Sequence, residues 1–393
     1  MRIALVGTRG VPARYGGFET CVEEVGRRLV DRGHDVVVYC RRVDGQPTPA
    51  EHLGMRLVHL PAMRKRSLET LSHTGLSVAH LARHRTDVAF VFNAANAPWL
   101  PVVRAARIPV ATHVDGLEWQ RAKWGTTGKK YYRGAEALSV RWSDALIADA
   151  HGISDYYRER FDVPTELIAY GAPLLDAPGA GRLAEIGLEP QGFHLVVARF
   201  EPENHVDLIV EGYSRSAASL PLVVVGSAPY ADAYTRRVTE LADQRVRLLG
   251  GVWDQELLDE LYAHAYLYLH GHSVGGTNPS LLRAIGAGTA TTAFDVGFNR
   301  EVLGTAGRYF RTPADVAGQI EAAEASPSVT AERAAASRVA AARYDWDDVA
   351  GRYEELARRL AWGERPLAED RARRGRARRT EARTPQEAER RAQ

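Results

Sequence analysis

Tyr266-Leu-Tyr-Leu269, then Ser273-Val-Gly-Gly-Thr-Asn-Pro-Ser280, running on into Leu281 to Ala287, reads as a strand, a glycine loop and a helix. Asn278 is a good N-cap, and Pro279 suits the first helical position. Gly275 and Gly276 carry no side chain, so free backbone N–H groups there could close on an anion at the positive end of the helix. That implies a ligand carrying phosphate. Ordinary turn chemistry beside an N-cap gives the same pattern, so both readings stand at this point.

Around this stretch, short apolar runs alternate with helical patterns. In the second half they lie at Leu195 to Val197, Leu222 to Val225, Val246 to Leu248 and Ala290 to Thr292. In the first half they lie at Arg2 to Val6, Val36 to Tyr39, Val88 to Phe92, Val110 to His113 and Ala145 to Ala148. Such alternation is the signature of parallel, doubly wound sheets. Between the halves, Pro173 to Gly181 is rich in Pro, Gly and Ala and reads as a connection. The expectation is an α/β chain of two Rossmann-like domains facing across a cleft. Residues 1–172 form the first domain, 173–182 the linker, 183–343 the second domain and 344–362 a terminal helix; the Arg-rich tail 363–393 is expected to be disordered.

In doubly wound sheets ligands sit beyond the carboxyl ends of the strands, which singles out four loops. The loop Gly7 to Gly17 is not a dinucleotide fingerprint, but its Gly16-Gly17 pair lets backbone approach a substrate closely. The loop from Asn93 to Pro98 is small and polar. The loop from His113 to Trp124 gathers Asp115, Glu118, Trp119 and Trp124, the acid-plus-tryptophan mixture that holds sugars; a pair of core tryptophans under a charged loop is the other reading. After Leu195 to Val197 comes Arg199, a candidate phosphate clamp through its forked donors, or a surface ion-pair partner. His270 and His272 lack the further ligands a zinc site needs, so no metal is expected.

The chain has 393 residues, 45% of them hydrophobic, enough for two cores. Its net charge of +2 conceals a surplus of six positive charges in Arg371 to Gln393, which leaves the rest at −4 and argues against a nucleic-acid partner. The tail could touch anionic lipid weakly, or simply be solvated. The two cysteines, Cys21 and Cys40, with neither a signal-like start nor a membrane-spanning run, suggest a cytoplasmic protein, soluble or peripheral at the inner face of the membrane. Nothing in the sequence indicates the oligomeric state.

Five blocks in order carry a family likeness: Gly7 to Glu19, Val114 to Trp119, Ala198 to Asn204, His270 to Ser280 and Phe298 to Val302. Over Met1 to about Leu360 the chain resembles the family 4 retaining nucleotide-sugar glycosyltransferases of GT-B fold, especially a bacterial rhamnosyltransferase-like subgroup. The resemblance implies an acceptor domain first, a donor domain second and a terminal helix returning to the first. It also implies transfer of a sugar, rhamnose or another hexose, from a nucleoside diphosphate to a hydroxyl of a glycan or lipid-linked acceptor, in cell-surface polysaccharide or glycoconjugate synthesis. No cofactor is implied beyond the nucleotide sugar itself.

By the same resemblance, Asp115 takes the position where the wider family commonly has a histidine orienting the donor sugar, and Arg199 that of the arginine of the diphosphate clamp. These two are the catalytic candidates. Donor contacts fall to Gly16, Gly17, Asn204, Gly275, Gly276, Thr277, Asn278, Arg283 and Glu301, and acceptor contacts to Asn93, Glu118 and Trp119. Two departures matter: Asn204 stands where a lysine is usual, and Arg283 where a glutamate usually holds the ribose. Either Arg283 supplies the missing positive charge, with Glu301 as replacement acceptor, or the site is impaired and the chain is a nucleotide-sugar-binding partner. A nucleotide-sugar epimerase shares the two-domain plan and is the other enzyme class in play.

Overall fold

The computed structural model describes residues 1–372 except 14, 15, 44, 46, 64–67, 115, 122, 123, 177 and 228–231. The first lobe is built on strands β1 (Arg2–Val6), β2 (Asp35–Arg41), β3 (Glu51–His52), β4 (Met55–Leu60), β5 (Val88–Phe92), β6 (Val110–Val114), β7 (Ala145–Ala148) and β8 (Glu166–Leu167). They form one sheet in the order β3-β4-β2-β1-β5-β6-β7-β8. Every pair is parallel except β3 with β4. The second lobe has β9 (His194–Val197), β10 (Leu222–Val225), β11 (Val246–Gly250), β12 (Leu267–His270), β13 (Thr291–Phe294) and β14 (Arg308–Phe310). Their order is β11-β10-β9-β12-β13-β14, all parallel.

Helices cover both faces. In the first lobe they are α1 (Gly17–Asp31), α2 (Glu69–Arg83), α3 (Leu100–Ala105), α4 (Thr126–Trp142) and α5 (His151–Phe161). The second lobe has α6 (Gly181–Glu185), α7 (Val206–Arg215), α8 (Asp232–Leu241), α9 (Gln255–His264), α10 (Pro279–Gly286), α11 (Gly297–Leu303), α12 (Pro313–Ala325) and α13 (Pro327–Ala341), and α14 (Trp346–Ala361) follows. Because parallel strands covered on both faces must be apolar throughout, β5 and β7 are buried at every position. Helix α1 shows the alternative pattern, with Cys21, Val22, Val25 and Leu29 recurring at helical spacing on one buried stripe. It ends where Gly33 takes a positive φ and its N–H bonds to the Val30 carbonyl. Among the described residues no helix is long and apolar enough to cross a membrane.

The chain passes between the lobes twice, and the two passages lie together. The N–H of Ala172 donates to the carbonyl of Tyr344 at 2.6 Å, and a side chain at Gly171 would strike the Trp346 ring. Helix α14 then packs on α1 and β5 of the first lobe. Val349, Tyr353, Leu356 and Leu360 form its buried face, and Arg28 with Asp347 and Arg32 with Glu354 pair along its edge. Beneath it the Tyr353 hydroxyl lies 2.7 Å from Nδ1 of His113, a β6 residue with no exposure.

Two expectations need correcting. Strands β4 and β14 are missing from the runs read in the sequence; β14, at an edge of its sheet, exposes Arg308, and only Phe310 of its residues is buried. The chain beyond 363 does not lose structure at once: residues 366–372 are helical, and Leu367 is buried. The Leu367 N–H donates to the Asp144 carbonyl at 3.1 Å, and Arg365 pairs with the Asp144 carboxylate at 3.3 Å. One leucine and one arginine find partners on the first lobe, which composition cannot reveal. Residues 373–393 lie outside the described residues.

Burial holds the imidazoles of His113 and His270 neutral, pushing the pKa of each down to about 3. An unfolded histidine takes a proton near pH 6.5, whereas these do so only far lower, so their contribution is intact above pH 6.5 and falls as pH drops toward 3. Chemical denaturation should show roughly 2 kcal/mol lost per buried histidine between pH 7.5 and 5. Tyr353→Phe should cost about 1–3 kcal/mol at pH 7.5 by the same measurement, because His113 Nδ1 would be left buried without its partner.

Candidate functional site

The carboxyl edges of the two sheets face each other across a cleft of about 1250 Å³. From the first lobe come the loop after β1 with Gly16 and Gly17, Asn93 after β5, and Glu118, Arg121 and Trp124 after β6. From the second come Arg199 after β9 and the loop His272 to Pro279 after β12. The strand, glycine loop and helix read from residues 266–287 are present as β12, loop and α10. Asn278 caps α10, its side-chain oxygen accepting the Ser280 N–H at 2.9 Å, and Pro279 opens it.

The absence of side chains in this loop is a packing requirement. Gly275 has φ +135°, a region that disfavours any side chain. A Cβ on Gly116, in the first lobe, would collide with the Cα of Gly275, and one on Gly276 would collide with the Asp149 carboxylate. The Thr277 hydroxyl donates to the Asp149 carbonyl at 2.6 Å. On the other side a Cβ on Gly17 would come within 2.9 Å of Pro279 Cγ. The amino ends of α1 and α10 therefore converge on one cleft wall, and both carry partial positive charge.

Arg199 is exposed within the cleft and makes no ion pair among the described residues, so its guanidinium is available to an anion. Asn204 sits behind it, buried, and does not line the cleft. Its amide nitrogen donates to the Arg199 carbonyl at 2.7 Å, and its oxygen lies 2.6 Å from His272 Nδ1. Burial first, then the charges of Arg121, His270 and Arg199, hold the His272 pKa well below the ordinary value. A neutral imidazole then donates Nδ1–H to Asn204. Asn204 is thus an internal brace between two loops of the second lobe, and its side chain, expected as a ligand contact, is turned to those loops instead.

Three more sequence assignments move. Arg283 does not line the cleft: Nη1 pairs with Asp259 of α9 at 2.5 Å, so it does not replace the missing lysine. Glu301 is directed at the amino end of α5, accepting the His151 N–H at 3.1 Å, and ties the lobes together instead of facing a ribose. Trp119 is outside the cleft wall, with the Arg133 guanidinium 4.3 Å from its ring centroid; Trp124 is the tryptophan of this loop that reaches the cavity. Glu118 does line the cleft, but its carboxylate pairs with Arg121 at 2.7 Å and accepts Trp124 Nε1–H at 3.1 Å. Arg121 continues to the buried Glu203 of the second lobe at 3.5 Å. Asn93, at φ +72°, caps its own turn through Oδ1 to the Ala95 N–H and borders the cavity. Asp115 lies outside the described residues; its neighbours are Val114, at the end of β6, and Gly116, which meets Gly275.

The first-lobe wall holds polar groups that the loop-by-loop reading missed. Arg41, at the end of β2, pairs with Glu69 at 3.1 Å and donates to the Thr70 hydroxyl at 2.7 Å. Glu19 accepts the Arg9 N–H at 3.0 Å; burial raises its pKa, against the lowering effect of that bond and of Arg9 and Arg41. Arg9 and Glu19 belong to the quoted Gly7 to Glu19 block, so a signal existed; Arg41 carried only its place at a strand end. Alternating cations and carboxylates in a cavity suit a polyhydroxylated ligand, since hydroxyls both donate and accept. Among the described residues no three His, Cys, Asp or Glu side chains are grouped to hold a metal ion.

Residues 16–171 match the model of the glycosyl transferase 4-like domain, and residues 193–325 match that of glycosyl transferases group 1. Among solved structures, sucrose-phosphate synthase from Thermosynechococcus elongatus superposes with a TM-score of 0.77 at 21% identity, over 91% of this chain and 98% of that one. HepE of Anabaena, solved in complex with UDP, gives 0.72 at 16% over 91% and 99%, and its complex with UDP-glucose gives 0.73 at 17% over the same shares. In sequence, 112 residues are 29% identical to the UDP-N-acetylglucosamine–peptide N-acetylglucosaminyltransferase GtfA subunit of Streptococcus gordonii. That match spans 28% of this chain and only 22% of the relative's length. With the two family models covering both lobes in order, the chain belongs to the family 4-type glycosyltransferases of GT-B fold.

Proposed function

We propose that the chain transfers a hexosyl group from a nucleoside diphosphate to a hydroxyl of a glycan or lipid-linked acceptor, with retention and without a metal. The observation that carries this is Arg199, which among the described residues makes no ion pair, in the cleft beside the amino ends of α1 and α10. As the bond to the anomeric carbon breaks, negative charge grows on the diphosphate. A guanidinium and backbone N–H groups of Gly275 to Thr277, held in place beforehand, stabilise that charge without reorganising. Charge from these donors takes the part usually given to a metal ion. Asp115, next to Gly116 in the sequence, would serve the sugar side, and Glu19, Arg9 and Arg41 the acceptor side. Retention rests on the family resemblance alone. A cytoplasmic setting agrees with Cys21 and Cys40 both being buried and free.

UDP is the first nucleotide to try, because HepE, a structural neighbour, was solved with it. Titration calorimetry should show UDP binding that Arg199→Ala weakens ten- to a hundredfold, the loss of one or two charge-assisted bonds. Unchanged affinity in R199A would refute the reading. Arg283→Gln should leave UDP affinity within about twofold and cost under about 1 kcal/mol of stability, since the pair it breaks is partly exposed. With labelled sugar nucleotides, transfer to an acceptor should survive EDTA; an epimerised sugar nucleotide formed without acceptor would instead indicate an epimerase.

A further inference from the structure

The first lobe carries an exposed face that runs up to the mouth of the cleft. Helices α2, α3 and α4 pack around the short 3-10 helix Ala94–Trp99. On them, or just before them, Met63, Leu76, Val102 and Tyr131 are 50%, 45%, 40% and 39% exposed. Met63 and Leu76 border a shallow apolar groove of about 610 Å³ floored by Gly75 and Trp99.

The charge of this face is one-sided. Lys129, Lys130 and Arg133 are exposed on the first half of α4, and among the described residues neither lysine makes an ion pair. The carboxylates of these helices are withdrawn: Glu69 is held by Arg41, and Glu136 is buried and accepts the Tyr156 hydroxyl at 2.8 Å. Yet residues 1–370 as a whole are net negative. Exposed apolar side chains and lysines with no ion pair among the described residues, carried on helices packed round one 3-10 helix, match the two layers of an anionic bilayer surface, acyl chains below and phosphate headgroups above. A second copy of this chain would instead oppose lysine to lysine.

We propose that this face docks on an anionic membrane surface, with Met63 and Leu76 entering the interface and Lys129 and Lys130 on lipid phosphates. The cleft opens along the same elements, since Leu68, Leu71, Thr126 and Tyr131 line it. Docking therefore sets the mouth of the first lobe at the membrane, and, if the transfer reading above holds, makes the acceptor membrane-borne. The docking itself does not depend on that reading.

The test is flotation of the full chain with phosphatidylcholine vesicles, with and without phosphatidylglycerol. Binding should require phosphatidylglycerol and weaken with salt. Lys129→Glu with Lys130→Glu should lower the partition coefficient tenfold or more, at about fivefold per charge removed. Met63→Ser with Leu76→Ser should lower it several-fold, while replacing Arg373, Arg374, Arg376, Arg378 and Arg379 by Gln should leave most of it. UDP affinity and melting temperature should be unchanged in each variant, showing that the cleft is intact. No flotation by the wild type, flotation indifferent to the lysine changes, or flotation lost only on changing the tail would overturn the proposal. So would a dimer, seen by light scattering without vesicles, that M63S/L76S dissolves. Failure of sugar transfer alone would leave the flotation result standing.

Discussion

Everything in the cleft depends on backbone meeting backbone between the lobes. Gly116 lies against Gly275, and Gly276 lies against Asp149, whose carbonyl also accepts the Thr277 hydroxyl. A single methyl group at any of the three glycines would hold the lobes apart or strain the loop. The close approach of Gly17 to Pro279 brings the amino end of α1 alongside that of α10. The positive character of the site is therefore largely a property of main chain, from the amino ends of α1 and α10.

The charged side chains around the cleft divide into those that brace and those left over for a ligand. Glu118, Arg121 and Glu203 form a buried series from one lobe to the other, and breaking one member would leave a charge without compensation. Glu301 bonds the amino end of α5, and Arg283 is spent on Asp259. Arg199, on the second-lobe wall, makes no ion pair among the described residues. On the first-lobe wall the carboxylate of Glu19 accepts the Arg9 N–H and borders the cavity. The site is economical: most of its conspicuous charges stabilise closure, and few face the cavity.

Most of the fold was legible because parallel strands must be apolar along their length, and β5, β6, β7, β9 and β12 announce themselves. The glycine loop and Arg199 were legible because each stands at the carboxyl end of such a strand. What could not be read was direction. Trp119 and Trp124 share an irregular loop, where no periodicity says which ring turns toward the cavity. Arg283 finds its carboxylate on α9, a helix 24 residues earlier in the chain, and nothing local marks that pairing. The expectation of disorder from 363 failed for a similar reason: an alanine- and arginine-rich segment with one leucine becomes ordered only through Asp144, a residue more than two hundred positions away.

The paired crossing at Ala172 and Tyr344 has a mechanical consequence. Two strands of chain joined by a hydrogen bond, with Gly171 seated on the Trp346 ring, act as the pin of a door. Because α14 packs on the first lobe, both passages of the chain between the lobes are held at this one place. A rotation of the second lobe about that place would open the cleft by parting Gly116 from Gly275, with no need to break the crossing itself.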